Sequence, residues 1–417
     1  MDIAYLTDIE GQWEKLETFC ADNPLVSLAG EQLVVAEGAR FVFGGDAIDR
    51  GPFGRRIVEC FTQAKQRYGE RVVLLAGNRD INKLRLGREL RGQLHPRAPE
   101  SLRDADRASV LGWVFSKTMG AGDALEHRKR ELVAVLGRTV SDEEVAESFL
   151  EDVAPGGALT RYLALCQLGY REGCTLFVHG GVSEGSLGTV PAPSGPREVK
   201  DLDAWIAALN AWYDEQIAAY RDGVLDLARG VAWQPLIDYQ APVPGLGTNP
   251  QSVVYARLAA EHNDPRLPAA PVVERLGAAG IRRLVVGHMP TGDTPSVLRD
   301  PERDFTLILA DNSHGRVNSA SRVLVNDDEV RIAGEVLLDD GQRRPVRFRV
   351  AAGDTQSPIG LHAGPTGPLI KAPLDHGEYL MFRALPDYRI AQWSEPATWS
   401  AKTLCVPYAR GAGTPAK

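Results

Sequence analysis

The chain has 417 residues, 44% of them hydrophobic, and a formal net charge of −8. That length supports one large domain with insertions or two domains, and the acidic balance argues against a nucleic-acid or anionic-membrane surface, since either needs a basic stripe. Five unclustered cysteines, an N-terminus "MDIAYLTDIEG" unlike a signal or transit peptide, and no apolar run near the roughly 20 residues that span a bilayer lead us to expect reduced thiols in a cytoplasmic protein.

In chain order, the first apolar run, "IAYL", ends at Thr7-Asp8, and "GQWEKLETFC" follows as a helix with Trp13, Leu16 and Cys20 on one face. "FVF" ends at Gly44-Gly45-Asp46 and "VVLLA" at Gly77-Asn78. Residues of about 83–170 read as a helical insertion; within it "SDEEVAESFLEDV" opens with Ser141 and places Glu144 three residues on, a capping-box signature. "TLFV" then ends at His179-Gly180-Gly181. A second helical insertion covers about 200–265, with apolar residues at helical spacing over 201–228. "RLVV" ends at Gly287-His288 and "TLILA" at Asp311-Asn312. Beyond 320, "EVRIAGEVLLDDGQRRPVRFRV" alternates around Asp340-Gly341, a hairpin signal. We therefore expect a main α/β domain over 1–320 and a β-rich appendage over 321–417, ending in a frayed tail, "ARGAGTPAK".

Short Val/Ile/Leu-rich runs bounded by turn residues read as buried strands. Six of them deliver Asp, Asn or His at their C-terminal ends, the pattern of a site built at one sheet edge. "FGGDAIDRGP" crowds Asp46, Asp49 and Arg50 into ten residues. Crowded carboxylates repel one another and desolvate badly, so something strongly positive is expected between them. A pair of divalent ions is the economical candidate, because one aspartate can bridge two. Imidazole nitrogen with Asp and Asn oxygen suits Mn, Fe or Zn better than Mg.

Five segments, in order, resemble the motifs of the calcineurin-like metallophosphoesterases, in particular the phosphoprotein-phosphatase branch and its bacterial relatives. "TDIEGQ" stands at that family's GD-x-HG, "GGDAIDRGP" at GD-x-x-DRG, "AGNRD" at GN-H-[ED], "VHGGVS" at HGG and "VVGHMPTG" at the late histidine. The resemblance covers residues 3 to about 315. It implies a four-layer α/β/β/α sandwich and two divalent metal ions, Mn first, with Fe, Zn or Mg as alternatives. It also implies ligands at Asp8 and Glu10 for the first ion, Asp46 as the bridge, and Asn78, His179 and His288 for the second. Arg50 would hold phosphate oxygens as a fork, Asp49 sits where the family orients its acid histidine, and a metal-activated water would attack phosphorus.

The chain departs from the motifs twice, with Glu10 in place of the first-site histidine and Arg79 in place of the histidine that protonates the leaving group. The Glu10 carboxylate either binds a hard divalent ion or points elsewhere and leaves the first site weak or empty. Arginine does not give up its proton near pH 7, so Arg79 can only stabilise charge on the leaving oxygen. It would pair with Asp49, and the two changes would be linked through the opposite charges of Glu10 and Arg79. His314 in "ADNSHGR" is the alternative acid, in a range where histidine titrates usefully. The expected function is hydrolysis of a phosphomonoester or anhydride on a phosphorylated small molecule or nucleotide, with a protein substrate less favoured because the insertions narrow access. Two alternatives stand beside it: a metal-binding pseudophosphatase that engages a partner, or a two-metal enzyme with different chemistry on an anionic ligand. Lys83, Arg85, Arg55 and Arg56 are candidates for a basic pocket wall. Trp233, within "RGVAWQPLIDYQAP", reads as core or as a border of the metal site.

Overall fold

Strand Asp2–Leu6 shows how the apolar runs build two-sided sheets. Successive side chains point to opposite faces, so Ile3 and Tyr5 join one buried cluster while Ala4 and Leu6 join another. The structure, a computed structural model, describes residues 1–226 and 231–408. The end of the predicted 201–228 helix, Arg229 and Gly230 of the Trp233 segment, and the tail expected to fray lie outside the described residues.

Seven strands form one sheet in the order Arg343–Ala351, Glu329–Leu337, Arg322–Val325, Asp2–Leu6, Ala39–Phe43, Val72–Leu75 and Cys166–Gln167. Five form the other, in the order Ser296–Asp300, Phe305–Leu309, Arg283–Val286, Thr175–Val178 and Gly169–Glu172. Within each sheet the strands whose ends were singled out run parallel: Asp2–Leu6, Ala39–Phe43 and Val72–Leu75 in the first, Thr175–Val178, Arg283–Val286 and Phe305–Leu309 in the second.

Between the sheets lies an apolar layer to which the first contributes Ile3, Tyr5, Val42 and Val73 and the second Phe177, Val285, Val297 and Ile308. The opposite faces carry helices. Phe41 and Phe43 pack on Phe61 of helix Gly54–Tyr68, with ring centroids 5.6 and 4.6 Å apart. The layers are thus α/β/β/α, as expected.

The capping box also forms: the Ser141 hydroxyl accepts from the Glu144 backbone N–H at 3.2 Å, and the Glu144 carboxylate from the Ser141 N–H at 2.8 Å. The hairpin turns at Gly341, whose φ is +85°.

The expected boundary at 320/321 needs correction. Strands Arg322–Val325, Glu329–Leu337 and Arg343–Ala351 extend the main sheet outward from Asp2–Leu6. A separate three-stranded sheet forms only over Leu369–Pro373, Glu378–Ala384 and Ile390–Pro396. Period-two alternation marks a strand but is silent on which sheet it joins. The first insertion ends earlier than expected, because Cys166–Gln167 and Gly169–Glu172 are strands. All five cysteines are free. Among the described residues no helix is long and apolar enough to cross a membrane.

Candidate metal centre

The loops leaving the parallel strands converge at one edge, and they do so in strained backbone. Asp8, Glu10, Asp46, Asp49 and His288 have φ of +49°, +48°, +59°, +114° and +63°. Non-glycine residues rarely sit there, and such outliers gather where surrounding structure and function demand them. Two glycines make room for the carboxylates. A Cβ on Gly77 would stand 2.1 Å from Asp46 Oδ1, and one on Gly287 2.1 Å from Asp8 Oδ2.

One half of the site is built on imidazoles. The Gly44 carbonyl can only accept, so the His179 ring donates to it from Nδ1, at 2.7 Å. Nε2 is then turned inward, 3.0 Å from Asn78 Oδ1 and 3.5 Å from Asp46 Oδ1. His288 brings Nδ1 to 2.8 Å from the same Asn78 oxygen, and its backbone N–H donates to the Asp8 carboxylate at 3.1 Å. Asp8 also accepts from the Thr7 hydroxyl at 2.5 Å. Asp8, Asp46 and His179, all buried, each offer a ligand atom within 4.8 Å of the others.

The electrostatics of this half ask for a cation. Burial works against a charged His179, yet Asp46 and Asp8 more than offset it and pull the imidazole up to about 10. Burial likewise opposes charge on Asp46, but His179 and Arg79 hold it below the usual carboxylate range. Burial and the nearby Asp311 push Asp8 well up. A proton on His179 Nε2 supplies positive charge where a divalent ion held by Asp8, Asp46, Asn78, His179 and His288 would supply more, displacing that proton. The donor set fits such an ion, and the Nδ1–H···O=C bond fixes the tautomer that leaves Nε2 free to bind it.

The other half is built on arginines. Glu10 is 3% exposed. Its Oε1 meets Arg79 Nε at 2.7 Å, and its Oε2 lies 3.2 Å from Arg50 Nε. Burial raises the Glu10 carboxyl to about 7 despite both guanidiniums. Arg79 Nε is also 3.7 Å from Asp46 Oδ2, and its backbone N–H donates to Asp46 Oδ1 at 2.8 Å. Glu10 and Arg79 are therefore directly paired.

The expected Arg79–Asp49 pair is the weaker contact, at 3.6 Å. Asp49 is taken at 2.6 Å by Lys83, whose side chain is 1% exposed and which also donates to the Arg79 carbonyl. Lys83 thus lies beneath the site and does not line the pocket wall, a correction to the basic-wall reading. Arg55 and Arg56 stand outside the cleft as well, on Asp152 and over the Trp13 ring.

Arg85 does line the cleft, held by Glu89. This cleft of about 1100 Å³ opens above both halves. Its walls come from the insertions, through Arg85, Arg88, Trp233 and Arg257, and from Tyr388 at the tip of the last hairpin. Trp233 serves as both core and border, being 3% exposed with its ring 5.0 Å from that of Tyr220.

His314 is in the cleft. Its Nε2 accepts from Arg50 Nη1, and its ring stacks on Tyr388 at 5.3 Å. Burial and then Arg50 lower the imidazole to about 4, which leaves it neutral at pH 7 and an acceptor for the arginine.

Sequence reasoning gave no role to Asp80, Lys15 or Asp311. Asp80 accepts from the backbone N–H groups of Asp46 and Ala47, both at 2.9 Å, and so fixes the loop that presents Asp46. Buried Lys15 donates to the Asn312 carbonyl at 3.1 Å, and Asp311 lies at the cleft floor, its carboxyl raised mainly by burial. Asp80 did carry a signal, since it fills the acidic position of "AGNRD" and is the third residue of helix Asn78–Asn82.

The sequence matches no family model and no curated protein. Among solved structures, the chain is similar to a serine/threonine phosphatase from Saccharomyces cerevisiae with similarity to human phosphatase PP5. That likeness has 12% identity over 86% of this chain and 81% of that one, with a TM-score of 0.36. The chain is also similar to a metallophosphoesterase from Sphaerobacter thermophilus, at 13% identity over 84% of this chain and 89% of that one, with a TM-score of 0.27.

Proposed function

We propose that the chain is a metal-dependent phosphohydrolase of the calcineurin-like type, acting on a phosphomonoester or anhydride of a small molecule or nucleotide. The observation that carries this reading is the convergence of buried Asp8, Asp46 and His179 with half-buried Asn78 and His288 beneath the cleft, with Arg50 beside them. Two buried carboxylates beside a buried imidazole are costly unless a cation satisfies them. A divalent ion there would supply a water of lowered pKa and draw charge from phosphate oxygens.

The chain's own residues would do the rest. Arg50, with its side chain a quarter exposed, presents a guanidinium to the phosphate, oriented by Glu10 and His314. Arg79 is held by Glu10 and Asp46 and keeps a permanent positive charge beside the leaving oxygen. With no proton to give from Arg79, the reaction favours leaving groups that need little protonation, such as phosphates in an anhydride. The walls built by the insertions favour a small substrate over a folded protein.

The test is phosphate release from an aryl phosphate, a nucleoside polyphosphate, a sugar phosphate and a phosphopeptide, with protein stripped by chelator and reloaded with Mn. Mn-dependent release, greatest from the anhydride, is the expected result. Metal uptake without cleavage of any of the four would overturn hydrolysis, and fastest turnover of the phosphopeptide would overturn the substrate class.

A further inference from the structure

The two halves of the site differ in what neutralises their carboxylates, and this bears on how many ions the site holds. A first ion in the position the sequence motifs imply would share Asp8, Glu10 and Asp46, with its oxygens about 2.0–2.2 Å away. Both Glu10 oxygens instead face guanidiniums, Arg79 at 2.7 Å and Arg50 at 3.2 Å. The Asp46 oxygen on that side, Oδ2, has Arg79 Nε at 3.7 Å, whereas Oδ1 faces His179. The Arg79 guanidinium therefore stands between Glu10 and Asp46, two of the three carboxylates that an ion there would need. It is well held: its backbone N–H is tied to Asp46, Asp49 lies 3.6 Å from Nη1, and its side chain is only 15% exposed.

Resting on the metal-centre reading above, we propose that Arg79 is a built-in cation in the place of one ion of the expected pair. The chain then holds a single divalent ion per molecule, on Asp8, Asp46, Asn78, His179 and His288. Guanidinium and divalent ion repel, and a guanidinium that never deprotonates cannot yield its position as a histidine proton can. Glu10 accordingly positions Arg79 and binds no metal. Its change from histidine and the change at residue 79 form one substitution in two parts, since a histidine at position 10 would leave the guanidinium without its closest anion.

Chelator-stripped protein reloaded with excess Mn and freed of unbound ion should carry one Mn per chain by elemental analysis. Its electron paramagnetic resonance spectrum should be that of an isolated Mn(II), with no exchange coupling. Arg79→Ala, checked for folding by circular dichroism, should take up a second ion and show coupling. Two ions per wild-type chain, or a coupled spectrum from the wild type, would overturn the inference without touching the metal centre itself. A folded Arg79→Ala that stays at one ion would overturn the role given to Arg79. No bound ion on the wild type would overturn the metal-centre reading and this inference with it.

Discussion

Asp46 and Asp293 are both buried aspartates, 2% and 1% exposed, and they meet burial in opposite ways. Asp293 is surrounded by neutral donors that belong to several segments of the C-terminal half. Its Oδ1 accepts from the backbone N–H groups of Arg316 and of Val317, the latter at 3.1 Å; its Oδ2 accepts from Leu337 N–H at 2.9 Å and from the Gln392 amide at 2.7 Å. It is a tie between the second sheet, the extended first sheet and the small C-terminal sheet. Asp46 accepts one backbone N–H, from Arg79, and otherwise faces an imidazole at 3.5 Å and a guanidinium at 3.7 Å. A buried carboxylate saturated by neutral donors is structural, while one left facing an imidazole and a guanidinium is, under the proposed function, one that a metal ion would complete.

The sharpest way to break that contrast is to neutralise each aspartate. Asp46→Asn should abolish tight ion uptake and lower phosphate release by on the order of 10²–10³-fold or more, while the thermal midpoint of stripped protein stays close to that of the wild type. Asp293→Ala should do the reverse for stability. It strands four donors, at a cost of about 3–5 kcal/mol read by urea unfolding, while metal uptake by the protein that remains folded is retained. Equal stability losses in the two variants would erase the distinction.

A smaller effect sharpens the structural side. Lys371, fully buried, donates to the Thr291 carbonyl and lies 4.5 Å from the Phe382 ring centre. Burial lowers its ammonium to about 7, against a weaker upward pull from Asp293. Its folded pKa lies below the unfolded value near 10.4, so between pH 7 and 10 the unfolded chain binds more protons and stability rises with pH. Relative to Lys371→Met, the wild type should gain up to about 1.4 kcal/mol per pH unit across that window, with no relative change below pH 6. A flat difference from pH 7 to 10 would contradict the buried, depressed lysine. Smallest of all, Ser141→Ala removes the exposed N-cap of helix Asp142–Val153. It should cost about 1 kcal/mol by thermal unfolding and leave metal uptake unchanged.

What the sequence made legible follows the range of the interactions. The six strand ends could be read because a run such as "VVLLA" before Gly77-Asn78 carries both its burial and its terminus locally. The Ser141–Glu144 cap and the Gly341 turn are local as well. Convergence of the site residues came from the order of the motifs, with each strand end supplying one member. Lys83 reads from the sequence as a pocket-wall cation because nothing local reveals that Asp49, 34 residues earlier, folds onto it. Asp293 went unremarked for the same reason: its partners span residues 316 to 392. The pairing of Arg322–Val325 with Asp2–Leu6, which moved the domain boundary, joins opposite ends of the chain.

The most direct test of the account is the rate of phosphate release from a nucleoside polyphosphate by one preparation, measured after chelator treatment and again after restoring one equivalent of Mn. The expected result is no release from the stripped protein and recovery on reloading, with Asp46→Asn at least about 10²-fold below the reloaded wild type in both states. Release that persists undiminished after stripping, or that Asp46→Asn retains, would contradict it.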